Sequence, residues 1–147
     1  LDDYKEVWDV NIYGVIRVTQ AFRDLIKKSR GRIVICTSAT TLCPVPSHGP
    51  YASSKCAVHA YCIVIRHELQ PYGVDVIEIV PGCFKTGMMN LQKYNKLIDT
   101  LWYRASQEIH DQYGHDYIEK AKVYADNMHS LILTDDKRWV IDAYYEA

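Results

Sequence analysis

Two runs of apolar residues constrain the fold of this chain more than any other feature. Residues 33–35 form a short β-branched run, which is typical of a strand buried on both faces of a parallel sheet. Residues 74–80 alternate in polarity and end at a Pro-Gly pair, which indicates a second strand. Helical patterns cover residues 1–29, where Gly31 is expected to end the helix, and about 51–72. Helix, strand, helix and strand joined by short turns predict parallel crossovers and a doubly wound α/β sheet.

Polar residues follow the first strand, and a tyrosine and a lysine follow them. Ser38 comes directly after the strand, at the carboxyl end where open α/β sheets bind their ligands. After a turn region rich in proline and glycine, Tyr51 lies in the first turn of the next helix, and Lys55 follows four residues later. Side chains with this spacing lie on one face of a helix, so the two groups are neighbours.

This spacing favours acid–base chemistry at the tyrosine hydroxyl. Tyrosines with the ordinary pKa near 10 exchange protons poorly at neutral pH. An ammonium about 4 Å away stabilises a phenolate by about 4 kcal/mol at an effective dielectric constant near 20. Tyr51 then suits a general acid and base, and Ser38 can hydrogen-bond the same substrate oxygen. A bare Y-x-x-x-K pattern is more often an amphipathic anchor beside a solvated lysine, so the interpretation depends on the surrounding sequence.

That surrounding sequence resembles the catalytic centre of the short-chain dehydrogenase/reductase family. Ser38, Tyr51 thirteen positions later, and then Lys55 follow the family's order and spacing. Asn11, in the segment VNIYG, matches the fourth catalytic position, an asparagine that helps to hold a water in the proton relay. On a mostly apolar helix face, the alternative for Asn11 is a structural hydrogen bond.

A further segment extends the resemblance to about the first ninety residues. Residues 81–86, PGCFKT, resemble the family's P-G-x-x-x-T segment, which closes over the nicotinamide. This segment and the long tail look most like the retinol and hydroxysteroid dehydrogenase branch, with D-3-hydroxybutyrate dehydrogenases nearby. The tail predicts two or three helices and no strand. By resemblance, residues 91–147 form a helical region that covers the substrate.

The resemblance implies the C-terminal catalytic portion of a Rossmann-like sheet, in an oxidoreductase that interconverts an alcohol and a carbonyl with NAD or NADP. Tyr51 would be the acid and base, and Lys55 would also touch the nicotinamide ribose. The implied catalytic residues are Asn11, Ser38, Tyr51 and Lys55. The implied cofactor-binding residues are Tyr51, Lys55, Pro81, Gly82 and Thr86.

The side chains after the second strand favour a small apolar alcohol or ketone of the retinoid or hydroxysteroid kind. Phe84, Met88, Met89 and the aromatic tail support this substrate class. A 3-hydroxybutyrate-type dehydrogenase is the alternative within the family. A non-catalytic module that dimerises through helices 1–29 and 51–72 is the alternative outside it. The second of these helices is more apolar than one buried face requires, which predicts a homodimer in either case.

The glycine pattern indicates that the sequence is partial. A dinucleotide site needs a glycine-rich turn between a strand and a helix, but the seven glycines here are isolated. Family members carry that turn in a half that would precede Leu1, and residues 140–147 favour a helix without a stop signal. We therefore expect these residues alone to bind neither NAD nor NADP and to be inactive. Membrane association would depend on missing segments.

Composition and histidine spacing exclude several other functions. A net charge of −1 and the lack of a basic run disfavour nucleic-acid binding. The five cysteines are odd in number and show no C-x-x-C, so we expect no disulfide framework and an intracellular, reducing location, whether cytoplasmic, endoplasmic-reticulum-associated or mitochondrial. His67 and Glu68 begin a zinc-protease pattern, but Pro71 occupies the position of its second histidine, so no metal site is predicted.

Overall fold

The computed structural model describes residues 1–147, with the exception of the Met88 side chain. Its two units are Leu1–Gly82 with Arg138–Ala147, and Cys83–Lys137. The first unit contains a parallel pair of strands with helices, and the second contains three α-helices. The predicted α/β organisation therefore belongs to the first unit.

The helix predicted over residues 1–29 is present, but it contains one wider turn. A π-helical turn, Asp9–Tyr13, joins α1 (Asp2–Trp8) to α2 (Gly14–Ser29). The Gly14 N–H donates to the Asp9 carbonyl across this turn. The Arg17 guanidinium donates to the Asp9 carboxylate at 2.9 Å and to the Asp9 carbonyl at 3.0 Å. Such turns occur frequently at functional sites, because the extra residue redirects the neighbouring side chains.

Gly31 does not end α2 in the way that the sequence suggests. Arg30 adopts the left-handed conformation that terminates the helix, with φ 50° and ψ 44°. A Cβ atom at Gly31 would lie 2.8 Å from the Cδ1 atom of Ile26, closer than packed carbon atoms approach. A side chain at position 31 would therefore force the end of the Ile26 side chain to move, and Gly31 itself does not adopt a positive φ.

The two predicted strands pair in parallel. In chain order, the elements are β1 (Arg32–Cys36), α3 (Gly49–Leu69) and β2 (Asp75–Ile79). Arg32 lies opposite Asp75, and Cys36 lies opposite Ile79. A short 3₁₀ turn follows α3, and Gly73, with φ 72°, leads into β2. The predicted helical crossover and parallel pairing are thus confirmed.

The core of the first unit lies on one face of the sheet. Helices α2 and α3 pack against this face. The buried side chains are Ile35, Val58, Cys62, Ile65, Leu69, Val74 and Val76, with Ile12, Val15, Ile26, Ile33 and Tyr61 partly buried beside them. The expectation that β1 is buried on both faces is wrong, because Val34 is 37% exposed. Its side chain alternates with Ile35 and therefore points away from the helices.

The second unit is built from three helices, as the pattern of the tail predicts. They are α4 (Leu91–Tyr103), α5 (Gln107–Tyr113) and α6 (Tyr117–Ile132). Helix α4 packs on α6, and the Trp102 ring lies 4.5 Å from the His110 ring and 5.6 Å from the Tyr117 ring, between centroids. An isolated parallel bridge pairs Phe84 with Thr134.

The chain returns to the first unit in α7 (Arg138–Glu146), which contacts β2. The Arg32 guanidinium donates to the Ala147 carbonyl at 2.8 Å. Across the described residues, none of these helices combines the length and the apolar content that crossing a membrane requires.

Candidate active site

Tyr51 and Lys55 lie on α3 beside the carboxyl end of β1. The Lys55 Nζ atom donates to the Cys36 carbonyl at 3.1 Å, and it lies 5.9 Å from the centroid of the Tyr51 ring. Both residues are partly buried. The structure therefore brings the predicted tyrosine and lysine together with the last residue of the strand.

Asn11 is hydrogen-bonded to the same turn of α3. Its Nδ2 atom donates to the hydroxyl of Ser54 at 3.0 Å, and Ser54, which is fully buried, donates to the Tyr51 carbonyl at 2.7 Å. The Trp8 indole, on α1, donates to the neighbouring Ser53 at 3.1 Å. The π turn thus presents Asn11 to α3, and Ser54 connects Asn11 to the backbone of Tyr51.

Ser38 and Pro81 follow the ends of the two paired strands. Ser38 has an extended backbone, and its hydroxyl caps a 3₁₀ turn, Ala39–Thr41, by accepting from the Thr40 N–H at 3.2 Å. This turn packs against α3. The Ala39 N–H donates to the Pro81 carbonyl at 2.8 Å. The segments after β1 and β2 are therefore joined directly at the edge where the site was predicted.

The remaining predicted cofactor residues have fewer contacts. A Cβ atom built on Gly82 would meet no described atom within 4 Å, so there is open space at this position. Thr86 belongs to the second unit, where it is exposed and precedes the short turn Gly87–Met89. Phe84 and Met89 are partly buried in that unit, whereas the predicted role of the Met88 side chain lies outside the described part of the chain.

A partly buried acidic residue near the site was not singled out from the sequence. The Glu78 side chain on β2 is 9% exposed, and it binds the Thr37 hydroxyl and the imidazole of His59. Burial, followed by the nearby Glu78 carboxylate, raises the pKa of the Cys62 thiol to about 11. The available signal was a glutamate between two isoleucines, Ile77 and Ile79, near the end of the strand. Over the described residues, no group of three or more His, Cys, Asp or Glu side chains could hold a metal ion.

Sequence comparison identifies relatives of this chain. A family model described as short chain dehydrogenase matches residues 1–96. The 3beta-hydroxysteroid dehydrogenase dhs-16 of Caenorhabditis elegans is 35% identical over 147 residues, which are 100% of this chain and 38% of that protein. The human 11-beta-hydroxysteroid dehydrogenase type 2 is 36% identical over 146 residues, 98% of this chain and 36% of that protein. The chain thus spans little more than a third of the length of these relatives.

Solved structures give the same match. A short chain dehydrogenase from Burkholderia cenocepacia J2315, in complex with NADP, aligns with a TM-score of 0.57 and 29% identity over 59% of this chain and 37% of that one. The sorbitol-6-phosphate 2-dehydrogenase SrlD from Erwinia amylovora aligns with a TM-score of 0.66 and 18% identity over 99% of this chain and 52% of that one. At such low identity, the second match shows a shared fold and nothing further.

Proposed function

The chain belongs to the short-chain dehydrogenase family, and we propose that the full-length protein is an NAD- or NADP-dependent alcohol dehydrogenase acting on hydroxysteroids or retinoids. The names of the related hydroxysteroid dehydrogenases support this substrate class. The partly buried Phe84 and Met89 are apolar, as such a substrate requires. The enzyme interconverts an alcohol and a carbonyl on a small apolar molecule.

The position of Lys55 is the observation that supports this function most directly. A lysine ammonium has three donors, and Lys55 uses one of them on the Cys36 carbonyl at 3.1 Å. The side chain is thereby held at the sheet edge where α/β proteins bind ligands, one helical turn from Tyr51.

The described residues fit the nicotinamide half of a dinucleotide. The remaining donors of Lys55 suit ribose hydroxyls, which accept hydrogen bonds. The open space at Gly82 leaves room beside the Pro-Gly segment. We assign Tyr51, Lys55, Pro81, Gly82 and Thr86 to this half of the cofactor.

The proposed reaction places each proton on a named atom. During oxidation, the Tyr51 oxygen takes the proton of the substrate hydroxyl, and during reduction it returns that proton to the carbonyl oxygen. Ser38 hydrogen-bonds the same substrate oxygen, and Lys55, one helical turn from Tyr51, hydrogen-bonds the nicotinamide ribose. Asn11 supports the relay from the π turn. Tyr51 and Lys55 would hold the nicotinamide half of the cofactor beside the substrate carbon, and the cofactor would supply the hydride chemistry.

Replacing Tyr51→Phe in the full-length protein tests this function. We expect kcat to fall by about 10²- to 10⁴-fold, because the proton-carrying hydroxyl is lost, while cofactor affinity stays nearly constant. Tyr61→Phe, on the same helix, is the matched control and retains activity. Lys55→Ala in addition weakens cofactor binding by about tenfold or more, which titration calorimetry measures. Activity of Tyr51→Phe within a few-fold of the parent contradicts the proposal.

The substrate class is decided by a panel of retinol, hydroxysteroids and 3-hydroxybutyrate, each assayed with NAD and with NADP. We expect the highest kcat/KM with an apolar alcohol of the first two kinds. A strong preference for 3-hydroxybutyrate would instead favour the neighbouring branch of the family.

Self-association through α2 and α3 completes the proposal. Val18, Phe22 and Leu25 follow helical spacing along α2 and are 59–61% exposed. Ile63 and Val64 are exposed on α3. Exposed apolar faces of this kind mark interaction surfaces. Sedimentation of full-length Phe22→Glu should show monomers, whereas the control Leu131→Glu, at another exposed apolar position, should leave a dimer. A monomeric parent protein contradicts this part.

A further inference from the structure

A buried polar network lies beneath the candidate site. The Thr37 hydroxyl donates to the Oε1 atom of Glu78 at 2.6 Å. The Nδ1 atom of His59 lies 2.8 Å from the Oε2 atom of Glu78, and it donates, because a carboxylate only accepts. Thr37 is 3% exposed and the Glu78 side chain 9%, whereas the His59 side chain is 41% exposed. The network therefore runs from solvent into the end of the sheet.

Thr37 is the residue through which this network reaches the site. Its N–H donates to the Ile79 carbonyl at 2.9 Å, so both its backbone and its side chain are bound to β2. The preceding residue, Cys36, supplies the carbonyl that holds Lys55, and the following residue is Ser38. Thr37 therefore connects the network to the two residues that border it, Cys36 and Ser38.

Lys55 and His59 approach the same strand ends from α3. They are four residues apart and lie on one helix face, together with Tyr51. Lys55 binds the end of β1, and His59 binds Glu78 near the end of β2. The helix face that carries the proposed acid and base is thus hydrogen-bonded to both strands.

Stability alone does not explain these polar groups. A buried charged group loses its hydration, and apolar residues of similar volume are often as stable or more stable. A fully satisfied buried network instead selects one arrangement. A role for Thr37 as an activated nucleophile does not fit, because its hydroxyl donates to the carboxylate rather than to the histidine, and because it is buried.

We propose that His59, Glu78 and Thr37 form a positioning network that fixes the Cys36 carbonyl and Ser38, and so orients Lys55 for the reaction. This rests on the proposed dehydrogenase function. All three are positioning residues, because they act through Cys36, Ser38 and Lys55 rather than by touching the substrate.

Two pairs of variants of the full-length protein separate positioning from simple stabilisation. Thr37→Val removes the hydroxyl while keeping the shape, and we expect it to lower kcat by about ten- to a hundredfold, as small misplacements of catalytic groups do. Thr37→Ser restores the hydroxyl and should recover most of the activity. Glu78→Met should lower kcat similarly without lowering the melting temperature. Glu68→Met, on the exposed end of α3, is its matched control and should change neither quantity.

Amide hydrogen exchange gives a readout that does not depend on activity. In Thr37→Val and Glu78→Met, the amides of Thr37 and Ala39 should exchange about tenfold faster or more, whereas those of Ile35 and Ile77 should keep their protection. Equal acceleration at all four amides would show a general loss of stability and overturn the proposal. Unchanged exchange at Thr37 and Ala39 would overturn it as well.

The kinetic and exchange results separate this proposal from the proposed function. Local acceleration with an unchanged kcat in an active enzyme rejects the role in the reaction. A full-length parent without dehydrogenase activity on the whole substrate panel rejects the proposed function and this network's role in it. Loss of activity in Tyr51→Phe, with full activity in Thr37→Val, leaves the proposed function standing and overturns the network.

Discussion

The two units of this protein differ most in how their side chains are buried. In the first unit, Val58, Cys62 and Leu69 are at most 2% exposed. In the second, Ala125 is the one buried apolar residue among the side chains that the structure describes. Leu101, on one of the packed helices, remains 45% exposed. The first unit has an interior core, whereas the second consists of helices that contact one another along their sides.

This difference indicates which unit opens more easily. The second unit contains ring contacts around Trp102 and ion pairs such as Lys122–Asp99, 2.7 Å apart, in which Asp99 is 52% exposed. Ion pairs with exposed partners contribute little to stability. Segments with few buried apolar contacts open at a low free-energy cost, and ligand-binding segments are commonly drawn from them. Catalytic groups, in contrast, need the rigidity that a core provides.

The largest expected effect comes from truncating one leucine in each unit. Leu69→Ala should lower the free energy of unfolding of the first unit by about 2–5 kcal/mol, because it leaves a cavity in the core. Leu97→Ala, at a position that is 52% exposed, should change stability by less than about 1 kcal/mol. Denaturant unfolding measures both changes in stability, and hydrogen exchange of the amides in each unit shows which unit is affected. Equal losses would show that the second unit has a core as important as the first.

A smaller effect is expected from two serines that make the same local bond. Ser54 donates to the carbonyl three residues earlier at 2.7 Å, and Ser130 does so at 2.8 Å. Ser54 is buried and also accepts from Asn11, so Ser54→Ala should cost about 1–3 kcal/mol by leaving that amide unpaired. Ser130→Ala, on the surface of the second unit, should stay within about 0.5 kcal/mol. Thermal unfolding measures the stability of both variants. Equal losses of stability in Ser54→Ala and Ser130→Ala would refute this expected difference.

The smallest effect on stability concerns Cys62 and appears only at alkaline pH. Burial raises the pKa of this thiol from 9.0 to about 11, so the folded protein keeps a proton that the unfolded chain releases. Its contribution to stability is therefore complete below about pH 9 and is lost as the pH rises towards 11. Denaturant titrations between these values, with Cys62→Ala as the control that lacks this loss, measure it. Identical pH profiles for parent and control would contradict the assignment.

Iodoacetamide labelling gives an independent check on Cys62. At pH 8, unfolding should raise its reactivity by about a hundredfold through the thiolate fraction alone. Mass spectrometry of the native protein should then find Cys62 unmodified while Cys36 and Cys56, which are exposed, react. Early modification of Cys62 in native protein would show that this part of the core opens readily.

Local patterns were sufficient to predict the two strands and the helix that carries Tyr51 and Lys55. The four-residue spacing of Tyr51 and Lys55 determines their shared helix face, and the β-branched run determines β1. The exposure of Val34 could not be predicted in this way, because alternation along a strand shows which residues share a face but not what covers each face. The left-handed conformation of Arg30 was missed because glycine, and not arginine, is the residue that usually adopts it.

Features that depend on contacts between residues far apart in the chain could not be predicted from the sequence. The residues of the turn Asp9–Tyr13 fit an ordinary helix, and the wider turn is visible only with the Arg17 contacts to Asp9 in place. Glu78 was not singled out from the sequence, and its partners His59 and Thr37 are 19 and 41 residues away in the chain. Their pairing requires the crossover of α3 to be folded.

The bridge between Phe84 and Thr134 makes the second unit a closed loop inserted into the chain. The Lys85 N–H donates to the Thr134 carbonyl at 2.9 Å, and the Thr134 N–H donates to the Cys83 carbonyl at 3.1 Å, so the insertion leaves and returns at nearly the same point. Because closure entropy grows with the logarithm of length, doubling such an insertion costs only about 0.6 kcal/mol. The length of this insertion can therefore change at a small cost in free energy, while the first unit keeps its architecture.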